Sequence, residues 1–255
     1  DISDRKKVIL CLSKRYKIRI FYIHLFRNQY NTFMKSIITS IFVLLLAVST
    51  SAQKPLPTEQ ISTIPHNLLI HNQPVDYKIK GNSISMTASR KTNLFNSPSG
   101  KPKVVNAPLI LFEPEANFTI SAKVTGKLKA VYDVAALVVY QDDETWAKFC
   151  YENSVNLMPT IVSVVTRTFS DDCNSMPTGD YAYMAIVKRG SEYSFFYSPD
   201  NKNWSMVRNF NLNTTGKIKV GFAVHGSRGN GFTGDFSEIK YLPRALDDMR
   251  TLSEE

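Results

Sequence analysis

The sequence predicts an all-β sandwich of two antiparallel sheets. Short runs rich in β-branched and aromatic residues recur along the chain, and turn residues separate them. No segment before the tail at 242–249 shows a sustained helical period. Twelve such runs are too many for one small sheet, and their even spacing is typical of a sandwich. The predicted strands are Tyr77–Ile79, Ile84–Ala88, Leu109–Phe112, Phe118–Val124, Ala135–Tyr140, Trp146–Glu152, Ile161–Thr168, Tyr181–Lys188, Tyr193–Tyr197, Met206–Asn211, Ile218–His225 and Phe232–Ile239.

Glycine, asparagine, aspartate and proline mark the connections between these runs. Examples are Gly81-Asn82, Asp142-Asp143, Arg189-Gly190, Pro199-Asp200-Asn201 and Gly229-Asn230-Gly231. These residues accept the backbone angles of tight turns more easily than others do. Such short connections are typical of antiparallel neighbours.

Residues 34–52 resemble a secretion signal. Met34-Lys35 forms a short basic start, an apolar run follows from Ile37 to Val48, and Thr50-Ser51-Ala52 provides small residues before Gln53. The apolar run is shorter than the roughly 20 residues that a membrane-spanning helix needs. We therefore expect a secreted or periplasmic protein that does not span a membrane.

The signal divides the chain into five predicted segments. Residues 1–33 precede a complete signal, and we expect them to be a non-native upstream segment. Residues 34–52 are the signal peptide, and residues 53–66, which contain Pro and Thr, form an N-terminal leader. Residues 67–242 form the β-domain, and residues 243–255 form a C-terminal tail.

The net charge of +9 is concentrated at the start of the chain. Residues 1–52 hold nine of the 31 Lys and Arg residues but only two of the 22 acidic ones. Residues 53–255 are therefore close to neutral, at +2. A nearly neutral domain gives no electrostatic reason to expect a nucleic-acid partner.

Two cysteines, Cys150 and Cys173, lie in the part of the chain expected to be exported, while Cys11 lies upstream. Export permits a disulfide between this pair. Two free thiols are the alternative, and the sequence leaves both open.

The predicted strand Trp146–Glu152 has an unusual pattern. Side chains alternate between the two faces of a strand, so Ala147, Phe149 and Tyr151 share one face. That set suits a core. The other face carries Trp146, Lys148, Cys150 and Glu152, which combines an aromatic ring with a cation and a carboxylate.

A series of short motifs, in a fixed order, resembles the domain-of-unknown-function 1349 family over roughly residues 66–242. The family belongs to the concanavalin A-like lectin/glucanase superfamily. The motifs are Asn106-Ala107-Pro108-Leu109, Phe118-Thr119, Asp133-Val134-Ala135-Ala136-Leu137, Trp146-Ala147-Lys148, Glu152, Val164-Val165-Thr166-Arg167, Ser170-Asp171-Asp172, Tyr197-Ser198-Pro199-Asp200, Trp204, Arg208 and Val220-Gly221-Phe222.

The resemblance implies a jelly roll of two antiparallel sheets, one of them concave, but no established reaction. This chain departs from the family pattern at three positions. Ala136 and Cys150 stand where the family usually has glycine, and Asn93 stands where the family pattern has an acid.

A carbohydrate site combines aromatic faces for sugar CH surfaces with polar groups for the hydroxyls. The candidate ligand-binding residues are Trp146, Lys148, Glu152, Arg167 and Asp171. If Ile161–Thr168 pairs antiparallel with Trp146–Glu152, Arg167 lies near Trp146 or Lys148. The alternative is that these charges only neutralise each other on a sheet face, for example as a Lys148–Glu152 pair.

Glu152 is the best single candidate for catalysis. A glycosidase needs two carboxyl groups on either side of the scissile bond, and Asp171, Asp172 or Asp133 are the possible partners. The Glu-x-Asp-x-x-Glu strand of many enzymes of the superfamily is absent, which favours binding over cleavage.

The sequence predicts no cofactor and no zinc site, because the four histidines lack metal-ligand spacing. The candidate ligands of a Ca²⁺ ion are Asp142 and Asp143, or Asp171 and Asp172.

Three functions follow from these observations. The first is a secreted, lectin-like domain that binds an oligosaccharide or polysaccharide, within a polysaccharide-utilisation system. The second is a glycoside hydrolase-like enzyme that uses Glu152. The third is a non-catalytic protein-interaction or regulatory domain. The oligomeric state is not predicted.

Overall fold

The computed structural model describes residues 54–55 and 59–246, together with 248, 250 and 252. The predicted upstream segment 1–33, the signal peptide 34–52 and Cys11 lie outside the described residues, as do parts of the leader 53–66 and of the tail 243–255. Within the described residues every regular element is a β-strand. This part of the chain contains no helix of the length and hydropathy that crossing a membrane requires.

In the part of the chain that the structure describes, seventeen strands form two large antiparallel sheets and one small one. In chain order they are β1 (Lys54–Pro55), β2 (Leu69–His71), β3 (Asp76–Lys80), β4 (Ser83–Ser89), β5 (Leu94–Asn96), β6 (Lys103–Val105), β7 (Leu109–Phe112), β8 (Phe118–Gly126), β9 (Asp133–Asp142), β10 (Thr145–Asn153), β11 (Pro159–Arg167), β12 (Phe169–Pro177), β13 (Tyr181–Arg189), β14 (Glu192–Ser198), β15 (Ser205–Asn211), β16 (Lys219–Gly226) and β17 (Gly231–Leu242).

The first sheet has the strand order β1-β2-β7-β16-β9-β10-β11-β12, and the second has the order β15-β14-β13-β8-β17-β4-β3. Strands β5 and β6 form a separate hairpin. All strand pairs within the sheets are antiparallel. The predicted sandwich of two antiparallel sheets is confirmed.

The main core lies between the two large sheets, and aromatic rings from both sheets meet in it. Phe149 of β10 stacks on Phe195 of β14 with ring centroids 4.8 Å apart, and Phe222 of β16 contacts Phe236 of β17 at 4.9 Å. The inward-facing side chains of a sandwich interdigitate in this way. Ala147 and Tyr151 belong to the same core, so the predicted core face of β10 is confirmed.

The opposite face of the first sheet, here called the outer face, carries a second apolar cluster. Leu94 of the hairpin β5–β6 packs there with Trp146 of β10. Asn96 anchors the hairpin, because its Nδ2 donates to the carbonyls of Asp143 and Thr168 at 2.9 and 3.1 Å. The hairpin thus covers one part of the outer face.

All twelve predicted strands are present, and five further strands were not predicted. The largest difference is β12, a strand of nine residues in a segment for which the sequence predicted no strand. It is the edge strand of the first sheet, and most of its residues are exposed. An edge strand with little buried surface has no apolar alternation to reveal it. It is held by its backbone pairing with β11.

A disulfide between Cys150 and Cys173 does not form, and both thiols are free. Strand β11 separates β10 from β12, which puts the two backbones roughly 10 Å apart, beyond the reach of a disulfide. The two side chains also face opposite ways. Cys173 lies in register with Ser163 and Phe149, on the core-facing side, whereas Cys150 is buried on the outer face.

The two thiols should differ sharply in reactivity. Cys173 is exposed, whereas complete burial raises the pKa of Cys150 and blocks reagent access. With an alkylating reagent under native conditions, peptide mass spectrometry should find Cys173 modified and Cys150 unmodified until denaturant is added. Prompt modification of Cys150 in the native protein would contradict this placement of β10.

Candidate functional site

The polar part of the outer face is built on β10. A tight turn precedes this strand. In the turn, Asp142 Oδ1 accepts a hydrogen bond from the Glu144 amide at 2.9 Å. The turn returns the chain antiparallel to β9 and sets the register of β10. Lys148 and Glu152 then point to the outer face, since they alternate with Phe149 and Tyr151 of the core.

Lys148 is 3% exposed and reaches His225 of β16, with 3.1 Å between its Nζ and His225 Nε2. A lysine ammonium only donates hydrogen bonds, so Nε2 accepts and the ring proton lies on Nδ1. Nδ1 faces the Ser227 hydroxyl at 3.2 Å, and the ring has a further hydrogen bond with the Tyr132 backbone. Burial and the nearby charge of Lys148 hold the pKa of His225 well below its ordinary value, and the ring is neutral at pH 7.

Glu152 is the second ionisable residue of β10 in this site. It is 7% exposed, yet within the described part of the chain its carboxyl has no hydrogen bond and no ion pair. Burial raises the pKa of Glu152 to about 7, and the negative charge of Asp172 acts in the same direction. Lys148 opposes the shift but does not cancel it. Near pH 7 this carboxyl can therefore both donate and accept hydrogen bonds.

Asp172 provides a second carboxyl on the outer face. It is opposite Val164 in the ladder, and Val164 is opposite Lys148, so the three side chains form one row across the sheet. Although Asp172 lies at the exposed sheet edge, partial burial of its carboxyl raises its pKa. The charge of Lys148 lowers this pKa, and that of Asp171 raises it.

Lys148, Glu152, Asp172 and His225 line a cavity of about 450 Å³, here called the first cavity. Its remaining walls come from four separate segments: the hairpin β5–β6, the connection before it, the turn before β9 and the turn after β16. The residues from these segments are Lys91, Thr92, Asn93, Phe95, Pro102, Val104, Tyr132, Ser227 and Arg228, and Val164 completes the lining.

A second cavity of about 340 Å³ adjoins the first and shares Tyr132, Glu152 and Asp172 with it. Its other residues come from the β10–β11 loop and from the neighbouring strands. They are Ser154, Val155, Asn156, Met158, Thr160, Asn174, Ser175, Met176 and Pro177. Glu152 is thus one of three residues that line both cavities.

Two residues of the first cavity have left-handed backbones, with φ of 60° at Lys91 and 64° at Tyr132. Such angles are costly for residues other than glycine, and they persist where surrounding contacts hold them. The Tyr132 amide donates to the Asn153 carbonyl at 2.8 Å, and the Lys91 carbonyl accepts from Asn106 Nδ2 at 3.2 Å. These contacts fix two walls of the cavity.

Trp146 does not offer the aromatic face that the sequence predicted. It has no exposed surface and packs in the outer apolar cluster with Leu94 and Val164. Its Nε1 has no hydrogen-bond partner in the described part of the chain. A sugar cannot stack on a ring that the hairpin has already covered, so the assignment of Trp146 as a ligand-binding residue is wrong.

Arg167 and Asp171 point away from both cavities. Arg167 Nη1 donates to the Asn211 carbonyl of β15 at 3.0 Å, and Asp171 Oδ2 pairs with Arg208 Nη2 at 2.7 Å. The register explains this, because Asp171 is aligned with Val165 and Ala147 on the core-facing side. Both residues link the two sheets, so the structure does not bring them together with Lys148 and Glu152.

Of the candidate ligand-binding residues predicted from the sequence, the structure brings Lys148 and Glu152 together in the first cavity. Asp133 is not a partner acid for Glu152, since its Oδ2 accepts hydrogen bonds from the amides of Lys129 and Ala130. His225 could have been found from the sequence, because it ends a predicted strand. Phe95 and Tyr132 lay in segments for which the sequence predicted no strand.

Within the described residues, no group of three or more His, Cys, Asp or Glu side chains is arranged as a metal site. Three of the four carboxylates proposed for calcium have protein partners. Asp142 accepts from Gln141 Nε2 at 2.8 Å, Asp143 accepts from the Tyr140 hydroxyl at 2.6 Å, and Asp171 is paired with Arg208.

Residues 70–244 match the family described as "Protein of unknown function (DUF1349)". No curated protein matches the chain. A functionally unknown protein from Saccharomyces cerevisiae is similar in structure at 21% identity, with a TM-score of 0.62 over 70% of this chain and 96% of that chain.

Two GH43 proteins are also similar in structure. The GH43 protein BlXynB from Bacillus licheniformis has 14% identity and a TM-score of 0.58, over 69% of this chain and 36% of that chain. The GH43B protein of a Bacteroides ovatus xyloglucan PUL has 14% identity and a TM-score of 0.53, over 76% of this chain and 41% of that chain. At these identities the likeness shows the fold alone, a concanavalin A-like sandwich.

The raised pKa of Glu152 predicts a specific pH dependence of stability. The folded protein keeps the proton up to about pH 7, whereas an ordinary glutamate loses it near pH 4.5. Between these values the folded state binds more protons, so this group lowers the free energy of unfolding as the pH rises. The shift corresponds to about 3 kcal/mol at 1.4 kcal/mol per pKa unit.

The measurement compares wild type with Glu152→Gln in urea from pH 4 to pH 8. The difference between the two removes the contribution of His225, whose lowered pKa acts in the opposite direction. We expect the variant to gain stability relative to wild type as the pH rises through this window. A constant difference at every pH would mean that the carboxyl is solvated.

Proposed function

Because this chain belongs to the DUF1349 family of proteins of unknown function, we propose its function from the site itself: it binds a carbohydrate chain in the two adjoining cavities. The observation that carries the proposal is the carboxyl of Glu152 beside the ammonium of Lys148: Glu152 is 7% exposed and lines both cavities, and its carboxyl has no protein partner in the described part of the chain. A carboxyl that faces a cavity instead of a protein donor keeps its hydrogen-bonding capacity for a ligand. A ligand that supplies hydroxyl groups satisfies both the carboxyl and the ammonium.

Sugar hydroxyls suit these two groups chemically. A hydroxyl both donates and accepts, so one can donate to Glu152 while its neighbour accepts from Lys148. Lys148 has three N–H donors, of which one is directed at His225. Its other donors are available to a ligand at the floor of the first cavity.

The cavity walls provide the apolar surface that sugar rings need. Phe95 and Tyr132 are both partly exposed and line the first cavity, so they take the stacking role first assigned to Trp146. The second cavity adds the amides of Asn156 and Asn174 and the apolar side chain of Met158. Concave sites with apolar walls and few polar groups are typical of small-ligand binding.

The shape favours an oligosaccharide over a single sugar. The two cavities meet at Tyr132, Glu152 and Asp172, so a chain that occupies both passes the carboxyl of Glu152. The likeness to a GH43 protein of a xyloglucan PUL supports a role in polysaccharide use.

Glycan cleavage is the second candidate, and the pKa of Glu152 favours it. A carboxyl that titrates at about 7 is suited to general acid or base catalysis near neutral pH. Asp172 supplies a second carboxyl in both cavities. The two candidate functions use the same residues. They differ in whether replacing the Glu152 carboxyl changes ligand affinity or the rate of cleavage.

Two variants separate binding from cleavage, with a glycan array, calorimetry and reducing-sugar release as the measurements. Phe95→Ala should weaken binding about tenfold by removing stacking surface. Glu152→Gln preserves shape, so a binding module should keep its affinity within about threefold. An enzyme should instead retain binding and lose about 10²-fold or more in kcat.

Matched controls are Phe169→Ala and Glu59→Gln, because both residues are exposed and neither lines the two cavities. Both controls should behave as wild type. If Phe95→Ala and Glu152→Gln also match wild type toward every bound glycan, the ligand lies elsewhere on the protein.

We also propose that the protein is exported and cleaved before Gln53. The order of Met34-Lys35, the apolar run and Thr50-Ser51-Ala52 supports this. Mass spectrometry of protein recovered outside the cytoplasm should find an N-terminus at or near Gln53. A recovered product that still carries residues 1–33 would exclude both the proposed start and the proposed cleavage.

A further inference from the structure

The first cavity is lined by three cationic side chains, Lys91, Lys148 and Arg228. The second cavity has no Lys, Arg or His among its lining residues. Two acidic side chains, Glu152 and Asp172, line both cavities and therefore lie where the cavities meet. Lys91 and Arg228 thus add positive charge to the first cavity alone, whereas Lys148 lies close to the two acids.

Local contacts bring Lys91 and Arg228 to the same rim. Their chain neighbours Thr92 and Ser227 are joined by a hydrogen bond from the Ser227 hydroxyl to the Thr92 carbonyl at 3.1 Å. The Gly226 amide donates to Thr92 Oγ1, also at 3.1 Å, which holds the two segments side by side. These contacts also hold the left-handed backbone of the adjacent residue Lys91.

Neither rim cation is neutralised within the described part of the chain. Lys91 and Arg228 are exposed, and their side chains have no ion pair and no hydrogen bond there. Lys103, by contrast, has Glu144 as an acidic partner at 2.8 Å. On the cavity floor, the buried ammonium of Lys148 has a neutral partner, His225.

We infer that the glycan bound here is acidic, and that its carboxylate or sulfate group lies in the first cavity between Lys91, Arg228 and Lys148. This inference rests on the proposed carbohydrate-binding function and narrows it to one class of ligand. An arginine guanidinium binds the oxygens of either anion through two parallel hydrogen bonds. The ammonium of Lys148 adds a charge at a site shielded from water, where it is screened least.

The test uses pairs of tetrasaccharides that differ in charge alone. Uronate oligomers, made of galacturonate, glucuronate, mannuronate or guluronate, are each compared with their neutral methyl esters. Sulfated galactose and fucose oligomers are compared with their desulfated forms. Calorimetry at low and high NaCl measures the affinity of the full protein for each member, and the two arms separate carboxylate from sulfate.

We expect at least one acidic oligomer to bind about tenfold tighter than its neutral partner, with a preference that weakens in salt. Lys91→Gln and Arg228→Gln should each reduce this preference about fivefold. The matched control is Lys78→Gln, an exposed lysine of β3 in the second sheet, which should have no effect. All three residues are on the surface, so the variants should fold.

The outcomes distinguish this inference from the function on which it rests. If neutral oligomers bind as tightly as the acidic ones, or if both rim variants keep the full preference, the inference is wrong and carbohydrate binding stands. If no oligomer of either kind binds, both the inference and the proposed function fail.

Discussion

Strand β10 is buried on both faces, and this burial governs the site. Its core face is apolar and packs against the second sheet, as a sandwich requires. Its outer face carries Lys148 and Glu152, two ionisable groups with less than a tenth of their surface exposed. Burying such groups is costly unless they are paired or neutralised. Each group avoids part of this cost in its own way.

Lys148 meets the neutral ring of His225, whereas Glu152 keeps its proton up to about pH 7. The two groups do not form an ion pair with each other, which the sequence had left possible as a simple neutralising contact. Both therefore retain hydrogen-bonding capacity toward the cavities. Burying ionisable groups lowers the stability of a fold. Such burial usually occurs at a functional site, because the site needs groups that can still bind a ligand.

The hairpin β5–β6 divides the outer face into two parts with different roles. Beneath it, Trp146 and Leu94 form an apolar cluster closed to solvent. Beyond it, the sheet is open and polar, and the hairpin side chains Phe95, Pro102 and Val104 form one wall of the first cavity. The anchoring of the hairpin through Asn96 thus positions the cavity without contributing a polar group to it.

The sequence alone determined the sandwich, twelve of its strands and the core face of β10, because period-two alternation reports directly which face of a strand is buried. It also identified Lys148 and Glu152, since two charges on one face of a buried strand are visible in the pattern. It did not reveal β12, because an exposed edge strand has no apolar face. Only the tertiary structure decided which outer-face groups remain accessible. The hairpin covers Trp146, and strand register turns Arg167 and Asp171 toward the second sheet. His225 and Tyr132 come from segments distant in the chain. A local sequence pattern carries no information about register or about such distant contacts.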